Sequence, residues 1–313
     1  MSNLPGDCLN LILKLLNTKD DRNSFGLTCR HWFHVQNNSW QSLHYGNPSG
    51  ANFESFSIVL HKLLSRFPNL KSLFIMGYLP QVTDLMQVAS KPPFFESKVQ
   101  FLSLVKCHLN SDVELSLMFS WFPRLTSITL SSHYITDMGL ETLAKCCPCL
   151  EIINLFSRLS ITDTGISFLI QNCRKLGKLR IRRCRNITEG IEAIVSGGGL
   201  ECLLLCDFPD LGVGYLNTEA VVTISKGCPS LKKLQLSNRM DVELEGWEAI
   251  GRNCKNLEYL YVYGSRKLCD LGLQAMCNGC NKLSKLVVSD TNCCSRSALE
   301  LFKSKKPNVM YHF

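Results

Sequence analysis

The chain has 313 residues, and 34 lysines and arginines against 26 aspartates and glutamates give it a formal net charge of +8. No apolar run approaches the roughly 20 residues of a membrane-spanning helix, and the first residues lack the basic stretch and apolar core of a secretory signal. We therefore expect no membrane partner, and we expect the protein in the cytoplasm or nucleus. The moderate excess of positive charge is weak evidence for nucleic-acid binding, so we do not expect a nucleic-acid partner.

The first 36 residues carry a helical pattern of their own. An apolar stripe recurs at i, i+3, i+4 and i+7, as on the buried face of a helix: Leu9, Ile12, Leu13 and Leu16. Pro5 suits a first helical turn, and Thr18 followed by Asp21 predicts the start of a second helix. A helical unit of about 35 residues is below the size that usually folds alone, so it must pack against the rest of the chain.

Two spaced motifs mark this helical unit: Leu4-Pro5-x-Asp7-x-Leu9-x-x-Ile12-x-x-x-Leu16 and Leu27-x-Cys29-Arg30-x-Trp32. Together they resemble an F-box, which implies binding to a Skp-type adaptor and, through it, to a cullin-RING ubiquitin ligase. The resemblance assigns eight motif positions to the adaptor surface or to the small internal core: Leu4, Pro5, Leu9, Ile12, Leu16, Leu27, Cys29 and Trp32. Gly26 departs from the helix formers usual there and should weaken the second helix by up to about 1 kcal/mol. The alternative is a plain helical cap over whatever follows.

A break signal follows the helical unit, because Gly46, Pro48, Ser49 and Gly50 cluster within a few residues. The apolar residues that precede the break predict a partly packed connector rather than a loose tether: Trp40, Leu43 and Tyr45. Residues 53–66 then show helical spacing. The predicted organisation is an F-box-like unit over residues 1–45, a connector and first outer helix over 46–66, and a repeat domain over 67–313.

The repeat domain is identified by an L-x-x-L-x-L pattern that returns every 24 to 31 residues. Its first positions are Leu70, Val99, Leu125, Leu150, Leu176, Leu200, Leu231, Leu257, Leu283 and Val309. Within one repeat, Leu125, Ile128 and Leu130 alternate like a strand, Thr136 or Asp137 can cap a helix, and Pro148 ends that helix. A fixed period of this length predicts stacked units that bury a shared core.

The helices of five repeats end at a cysteine: Cys147, Cys173, Cys228, Cys254 and Cys280. This pattern resembles the cysteine-containing class of leucine-rich repeats. The resemblance implies an α/β solenoid, a horseshoe of about ten repeats with parallel strands inside and helices outside.

The seventeen cysteines raise the alternatives of disulfides and of zinc binding. A cysteine at a repeat position packs as a small hydrophobe, which favours reduced thiols in a reducing compartment. Cys277-x-x-Cys280 and Cys146-Cys147-x-Cys149 have zinc-like spacing, but no second paired cluster follows at a usual distance. We therefore predict no metal and no cofactor.

The residues between the core leucines should point to the concave face, because strand side chains alternate. Two rows are unusual there. The fifth repeat carries cations, Lys178, Arg180 and Arg182 with Arg183 beside them, and the eighth carries Tyr259, Tyr261 and Tyr263. With Lys233 of the seventh repeat between them, these residues are the candidate target-binding site, since arginine and tyrosine are enriched in binding hot spots. The alternatives are a solvated basic face and the ordinary β-propensity of tyrosine.

The sixth strand is followed by five extra residues within 207–215, a candidate clamp over the binding face or an inert loop. None of the cysteines has a convincing histidine and acid partner set, so no catalytic residue is predicted. The function that the F-box resemblance implies is that of a non-catalytic substrate receptor in an SCF-type ubiquitin ligase, with a protein target on the concave face. The alternatives are a small-molecule-gated receptor resembling the plant hormone co-receptors, which have longer horseshoes, and a nucleic-acid binder.

Overall fold

The computed structural model describes residues 4–47, 56–77, 97–105, 107, 112–131, 135–156, 161–182, 190–206, 217–240, 242–265, 267–288 and 294–312. In these residues, eleven strands form one open sheet in sequence order, and every neighbouring pair is parallel. The strands are β1 Ser42–Asn47, β2 Ser72–Gly77, β3 Phe101–Val105, β4 Ser127–Ser131, β5 Ile152–Phe156, β6 Lys178–Arg182, β7 Cys202–Cys206, β8 Lys233–Met240, β9 Tyr259–Ser265, β10 Lys285–Val288 and β11 Met310–His312.

Helices precede the sheet and then alternate with its strands. The N-terminal unit consists of α1 Gly6–Leu15, α2 Lys19–Leu27 and α3 Arg30–Ser39. The outer helices are α4 Phe56–Arg66, α5 Asp112–Phe119, α6 Asp137–Cys146, α7 Asp163–Asn172, α8 Gly190–Ser196, α9 Thr218–Gly227, α10 Leu244–Asn253, α11 Asp270–Gly279 and α12 Arg296–Lys305. The strand–helix alternation confirms the leucine-rich-repeat solenoid. No helix of the described ranges is long and apolar enough to cross a membrane.

The sheet begins one strand earlier than the ten strand positions that were predicted. β1 pairs with β2 residue by residue, from Ser42 opposite Ser72 to Asn47 opposite Gly77. These residues had been assigned to the helical unit and the connector, so the boundaries at 45 and 67 do not match the start of the sheet. The missed signal was Trp40-x-x-Leu43-x-Tyr45, which has the repeat spacing with two leucines replaced by aromatic residues.

The core lies between the sheet and the outer helices. Along β6 the residues alternate as expected, with Leu179 and Ile181 buried and the side chains between them on the other face. The five cysteines at the helix ends are buried, as predicted, and their thiols are free in the structure. At the end of α6, the N–H of Cys147 donates to the Leu143 carbonyl at 2.9 Å and so completes the last turn of the helix.

Consecutive repeats are also joined by a carboxylate at the start of the outer helices. Asp137 Oδ1 accepts from the Thr162 N–H at 2.8 Å, and Asp137 Oδ2 accepts from Thr162 Oγ1 at 2.6 Å. Thr162 in turn caps α7, because its hydroxyl accepts from the Thr164 N–H. Asp112 with Thr136 and Asp270 with Ser295 repeat this arrangement.

The N-terminal helices enclose a small core of their own, formed by Leu9, Leu13, Phe25 and Val35. The helix start predicted at Thr18 is confirmed, since its hydroxyl accepts from the Asp21 N–H at 3.0 Å. Because a core of four residues is small, contacts with the solenoid must contribute much of the stability of this unit.

Arg66 at the end of α4 provides one of those contacts. Its Nε donates to Asn37 Oδ1 at 3.3 Å, and its guanidinium lies 4.9 Å from the Phe33 ring and 5.1 Å from the Phe67 ring. Trp40 also packs on Phe67, with ring centroids 5.8 Å apart. The N-terminal unit is therefore fixed to the first repeat.

Gly26 has a packing role that its helix propensity does not reveal. A β-carbon at this position would overlap the side-chain amide of Gln36 on α3. That amide is buried and donates to the Arg22 carbonyl at 2.6 Å. The glycine therefore allows α2 and α3 to approach closely, which offsets the propensity cost expected from the sequence.

Candidate functional site

The eight F-box motif positions divide into an exposed set and a buried set. Leu4, Pro5, Leu27 and Cys29 are exposed, and Leu27 retains 84% of its accessible surface. Ile12, Leu16 and Trp32 are half-buried against the small core. Leu9 has no accessible surface and faces that core, so it supports the helices rather than a binding surface. A stripe on one helix does not reveal whether it meets its own unit or a partner.

The structure adds two exposed apolar residues that the sequence reasoning missed. Leu11 and Leu15 lie one helical turn apart on α1 and expose 61% and 78% of their surface. Their i, i+4 spacing was the available signal, but both lie off the apolar stripe that defined the helix. Large exposed leucines on so small a unit are typical of an interaction surface.

The second candidate surface is the face of the sheet opposite the outer helices, which we call the concave face. The basic row of β6 consists of Lys178, Arg180 and Arg182, and all three share this face because Leu179 and Ile181 between them are buried. Arg183 lies outside the described residues, as do residues 207–215. The tyrosine row of β9 consists of Tyr259, Tyr261 and Tyr263.

Strand register brings the two rows together across β7 and β8. Lys178 is aligned with Cys202, which is aligned with Lys233, which in turn is aligned with Tyr259. Three strand spacings of about 4.8 Å separate β6 from β9 by about 14 Å. The structure therefore places the predicted target-binding residues on one continuous surface, apart from Arg183.

Lysines flank the tyrosine row on both sides. Lys233 Nζ lies 5.3 Å from the centroid of the Tyr261 ring and 5.9 Å from that of Tyr259, and Lys285 Nζ of β10 lies 5.5 Å from the Tyr261 ring. Cation–π attraction holds both ammonium groups beside the ring. Lys285 was missed as a site residue, although its position in the repeat equals that of Lys178 and Lys233.

The charge of the concave face is one-sided. Lysine or arginine occupies five concave positions of β6, β8 and β10, whereas no aspartate or glutamate occupies a concave position of the eleven strands. Within the described ranges, none of these five cations forms an ion pair with a carboxylate. The Nε atoms of Arg180 and Arg182 are buried and have no hydrogen-bond acceptor. Asn154 Oδ1, on the adjacent strand β5, is buried and has no hydrogen-bond donor.

The other end of the concave face is apolar. The His44 ring of β1 stacks on the Phe74 ring of β2 with centroids 4.3 Å apart and an interplanar angle of 3°. Phe74, Met76 and Phe101 are all partly exposed there. The sequence had given no site residue in these strands, because single aromatic residues in strands are ordinary.

Side chains that can bind a metal are dispersed in the described part of the chain. No group of three or more histidine, cysteine, aspartate or glutamate side chains there could hold a metal ion. Cys277 and Cys280, which have zinc-like spacing, are both buried in the repeat core.

Comparisons with known proteins find a family model for the N-terminal helices and relatives that cover most of the chain. The F-box domain model matches residues 1–40. The chain is 31% identical over 289 residues to F-box/LRR-repeat protein 12 of Arabidopsis thaliana, an alignment that covers 82% of the chain and 71% of that protein. It is 25% identical over 293 residues to GRR1-like protein 1, and 28% identical over 216 residues to F-box protein SKIP1, both of Arabidopsis thaliana.

The matched lengths and the solved structures set the scope of these similarities. The alignments cover 74% of the chain and 49% of GRR1-like protein 1, and 67% of the chain and 64% of SKIP1. The chain thus spans about half to two-thirds of the length of these two relatives. A Listeria monocytogenes internalin crystal structure matches with a TM-score of 0.55 and 15% identity, covering 90% of the chain and 69% of the internalin. That likeness concerns the fold alone.

Proposed function

The chain belongs to the F-box/LRR-repeat proteins, and on that premise we propose that it is a non-catalytic substrate receptor of an SCF-type ubiquitin ligase. The N-terminal helices would bind a Skp-type adaptor, and the concave face would bind the target protein. The receptor itself performs no chemistry in this scheme. It accelerates ubiquitin transfer by holding the target near the catalytic subunits, which raises the effective concentration of the reacting groups.

The observation that carries the proposal is the exposed apolar surface of the F-box unit. Leu4, Leu11, Leu15 and Leu27 all lie outside the small core and expose about half or more of their surface. Each leucine buried in an interface contributes roughly 1.5–3 kcal/mol. A helical adaptor surface with matching apolar pockets would account for their exposure in the isolated chain.

The fixed attachment of the F-box unit supports the same scheme. Arg66 bridges α3 and the first repeat, and Asn69 Nδ2 donates to the Asn38 carbonyl at 2.9 Å. A target on the concave face would therefore be held at a defined position relative to the adaptor. Proximity catalysis depends on such positioning, because a freely rotating receptor would spread the target over many orientations.

Co-purification with a Skp-type adaptor tests the proposal. Replacing Leu27 by aspartate places a charge in the expected interface, and its exposure predicts an unchanged fold. Leu271→Asp is the matched control, since Leu271 is also exposed and lies on α11 at the far end of the solenoid. We expect the adaptor to co-purify with the wild type and the control but not with Leu27→Asp. Equal adaptor recovery with all three proteins, or none with the wild type, would contradict the assignment.

A further inference from the structure

The concave face also indicates the chemistry of the target. Resting on the proposed function, we propose that the target presents a short acidic segment, with carboxylate or phosphate groups, that crosses β6 to β10. The cations of β6, β8 and β10 would bind the acidic groups, and the tyrosine row would contact the apolar side chains between them.

The cations of the concave strands lack counter-charges on those strands. Among the described residues, Arg180 and Arg182 have no acidic neighbour on the concave face, and each keeps a buried Nε without an acceptor. A buried donor without a partner is costly. A carboxylate or phosphate binds an arginine through Nε and a terminal nitrogen together, so a small rotation of either side chain would satisfy the unused donor.

The cations are evenly spaced, because they lie on every second strand from β6 to β10. Two strand spacings separate β6 from β8, and two more separate β8 from β10, so cationic positions recur at about 10 Å intervals. A peptide in the polyproline II conformation advances about 3.1 Å per residue and repeats its side-chain direction every three residues. A segment that runs across the strands would therefore place its acidic groups about three residues apart, and about six residues would cross from β6 to β10.

The surroundings of Asn154 favour a peptide over an isolated anion. Asn154 lies directly beside Arg180 in the strand register, and its Oδ1 is a buried acceptor without a donor. Its Nδ2 donates to Thr129 Oγ1 at 3.0 Å, so the amide is held by one of its two polar ends. A peptide supplies both a side-chain anion and a backbone N–H. An inorganic anion without a proton supplies acceptors only.

Glutamates at one edge of the basic surface limit the length of the ligand and disfavour nucleic acid. Backbone hydrogen bonds place Glu151, Glu201 and Glu258 in the row just before the concave positions, at the start of the strands. Between β5 and β10, Lys232 is the cation of this row, and it is paired with Glu201 at 3.0 Å. A long polyanion leaving the basic surface over this edge would meet carboxylates, whereas a short acidic segment stays on the cations.

The experiment is a selection of peptides from a random display library on the purified complex of the full chain with its adaptor. Peptides of about twelve residues are long enough to cross the surface. We expect the selected peptides to be rich in aspartate and glutamate with acidic positions about three residues apart. Synthetic versions with phosphoserine or glutamine at those positions distinguish phosphate from carboxylate recognition, and glutamine should reduce affinity by about tenfold or more for each charge-assisted bond lost.

Arg180→Glu/Arg182→Glu is the test variant, and Arg174→Glu/Lys175→Glu is the matched control. The control changes the net charge equally in the same repeat, at exposed positions before β6. The selected peptide should lose about a hundredfold or more in affinity for the test variant and keep its affinity for the control. The proposal would be overturned if the selected peptides were neutral or basic, or if both variants lost affinity equally. Tighter binding of an oligothymidylate of equal length would also overturn it. Adaptor co-purification with Arg180→Glu/Arg182→Glu reports separately on the proposed function and should stay unchanged.

Discussion

The cysteines at the helix ends should resist modification in the folded protein far more than an ordinary thiol. Burial raises the pKa of Cys228 to about 11 from the ordinary value of 9.0, and burial is also the main cause that raises the pKa of Cys254 to about 12. At about pH 8 a thiol of pKa 9 is roughly one-tenth thiolate, and a thiol of pKa 11 is roughly one-thousandth thiolate. Since the thiolate is the nucleophile, this difference alone predicts labelling about a hundredfold slower, before steric protection adds to it.

Timed alkylation of the native protein, followed by peptide mass spectrometry, measures this difference. Cys8 and Cys29 are exposed and provide internal references for fast labelling. In denaturant the buried and exposed sites should react at similar rates. Native labelling of Cys228 as fast as Cys8, or a disulfide at Cys228, would refute the repeat register.

The same shift predicts a dependence of stability on alkaline pH. The pKa of the Cys228 thiol is higher in the folded chain than in the unfolded chain, so the unfolded chain loses this proton first as the pH rises. The stabilisation is therefore fully present below about pH 9 and is lost as the pH rises toward 11. Denaturant unfolding across this range should show falling stability.

Two further predictions concern the packing of the repeats. A β-carbon at Gly279 would overlap the backbone carbonyl of Gly251 on the neighbouring helix, so Gly279→Ala should destabilise the fold by about 1–3 kcal/mol. Gly177 has open space around it, so Gly177→Ala should not destabilise the fold, and thermal melts compare the two variants. Asp137→Ala removes both hydrogen bonds to Thr162 and should cost about 1–3 kcal/mol in denaturant unfolding. A loss no larger than that of Glu141→Ala, a half-buried carboxylate on the same helix, would contradict this reasoning.

The solenoid was predictable because one physical requirement recurs at each step of the chain. Residues such as Leu179 and Ile181 must be apolar to fill the space under the outer helices, and the next repeat imposes the same requirement about 25 residues later. β1 escaped detection because Trp40 and Tyr45 replace leucines at its core positions. Gly46 was interpreted as part of a break in the chain, whereas it lies within β1.

The F-box unit shows where a single helix pattern stops being informative. The stripe through Leu9 correctly predicted α1, yet periodicity does not distinguish an internal core from a partner surface. Leu11 and Leu15 lie off the stripe and are more exposed. Gly26 likewise has a meaning only in three dimensions, because the residue that requires it, Gln36, lies on another helix.

The rows of the concave face could be predicted from the repeat spacing, whereas individual side-chain contacts between neighbouring strands could not. Arg180 and Arg182 were found together because they are two residues apart on β6, whereas Lys285 becomes a neighbour of Tyr261 only through strand register. Two such arginine charges about 7 Å apart repel by roughly 0.6 kcal/mol even in water, and by more near a protein surface. The packing of the solenoid does not require a charge at either position, since the core is filled from the opposite side of the strand. Cation–π attraction to the Phe156 ring, whose centroid lies 5.3 Å from the Arg182 guanidinium, offsets part of this repulsion in the free chain, and an acidic ligand would offset the rest.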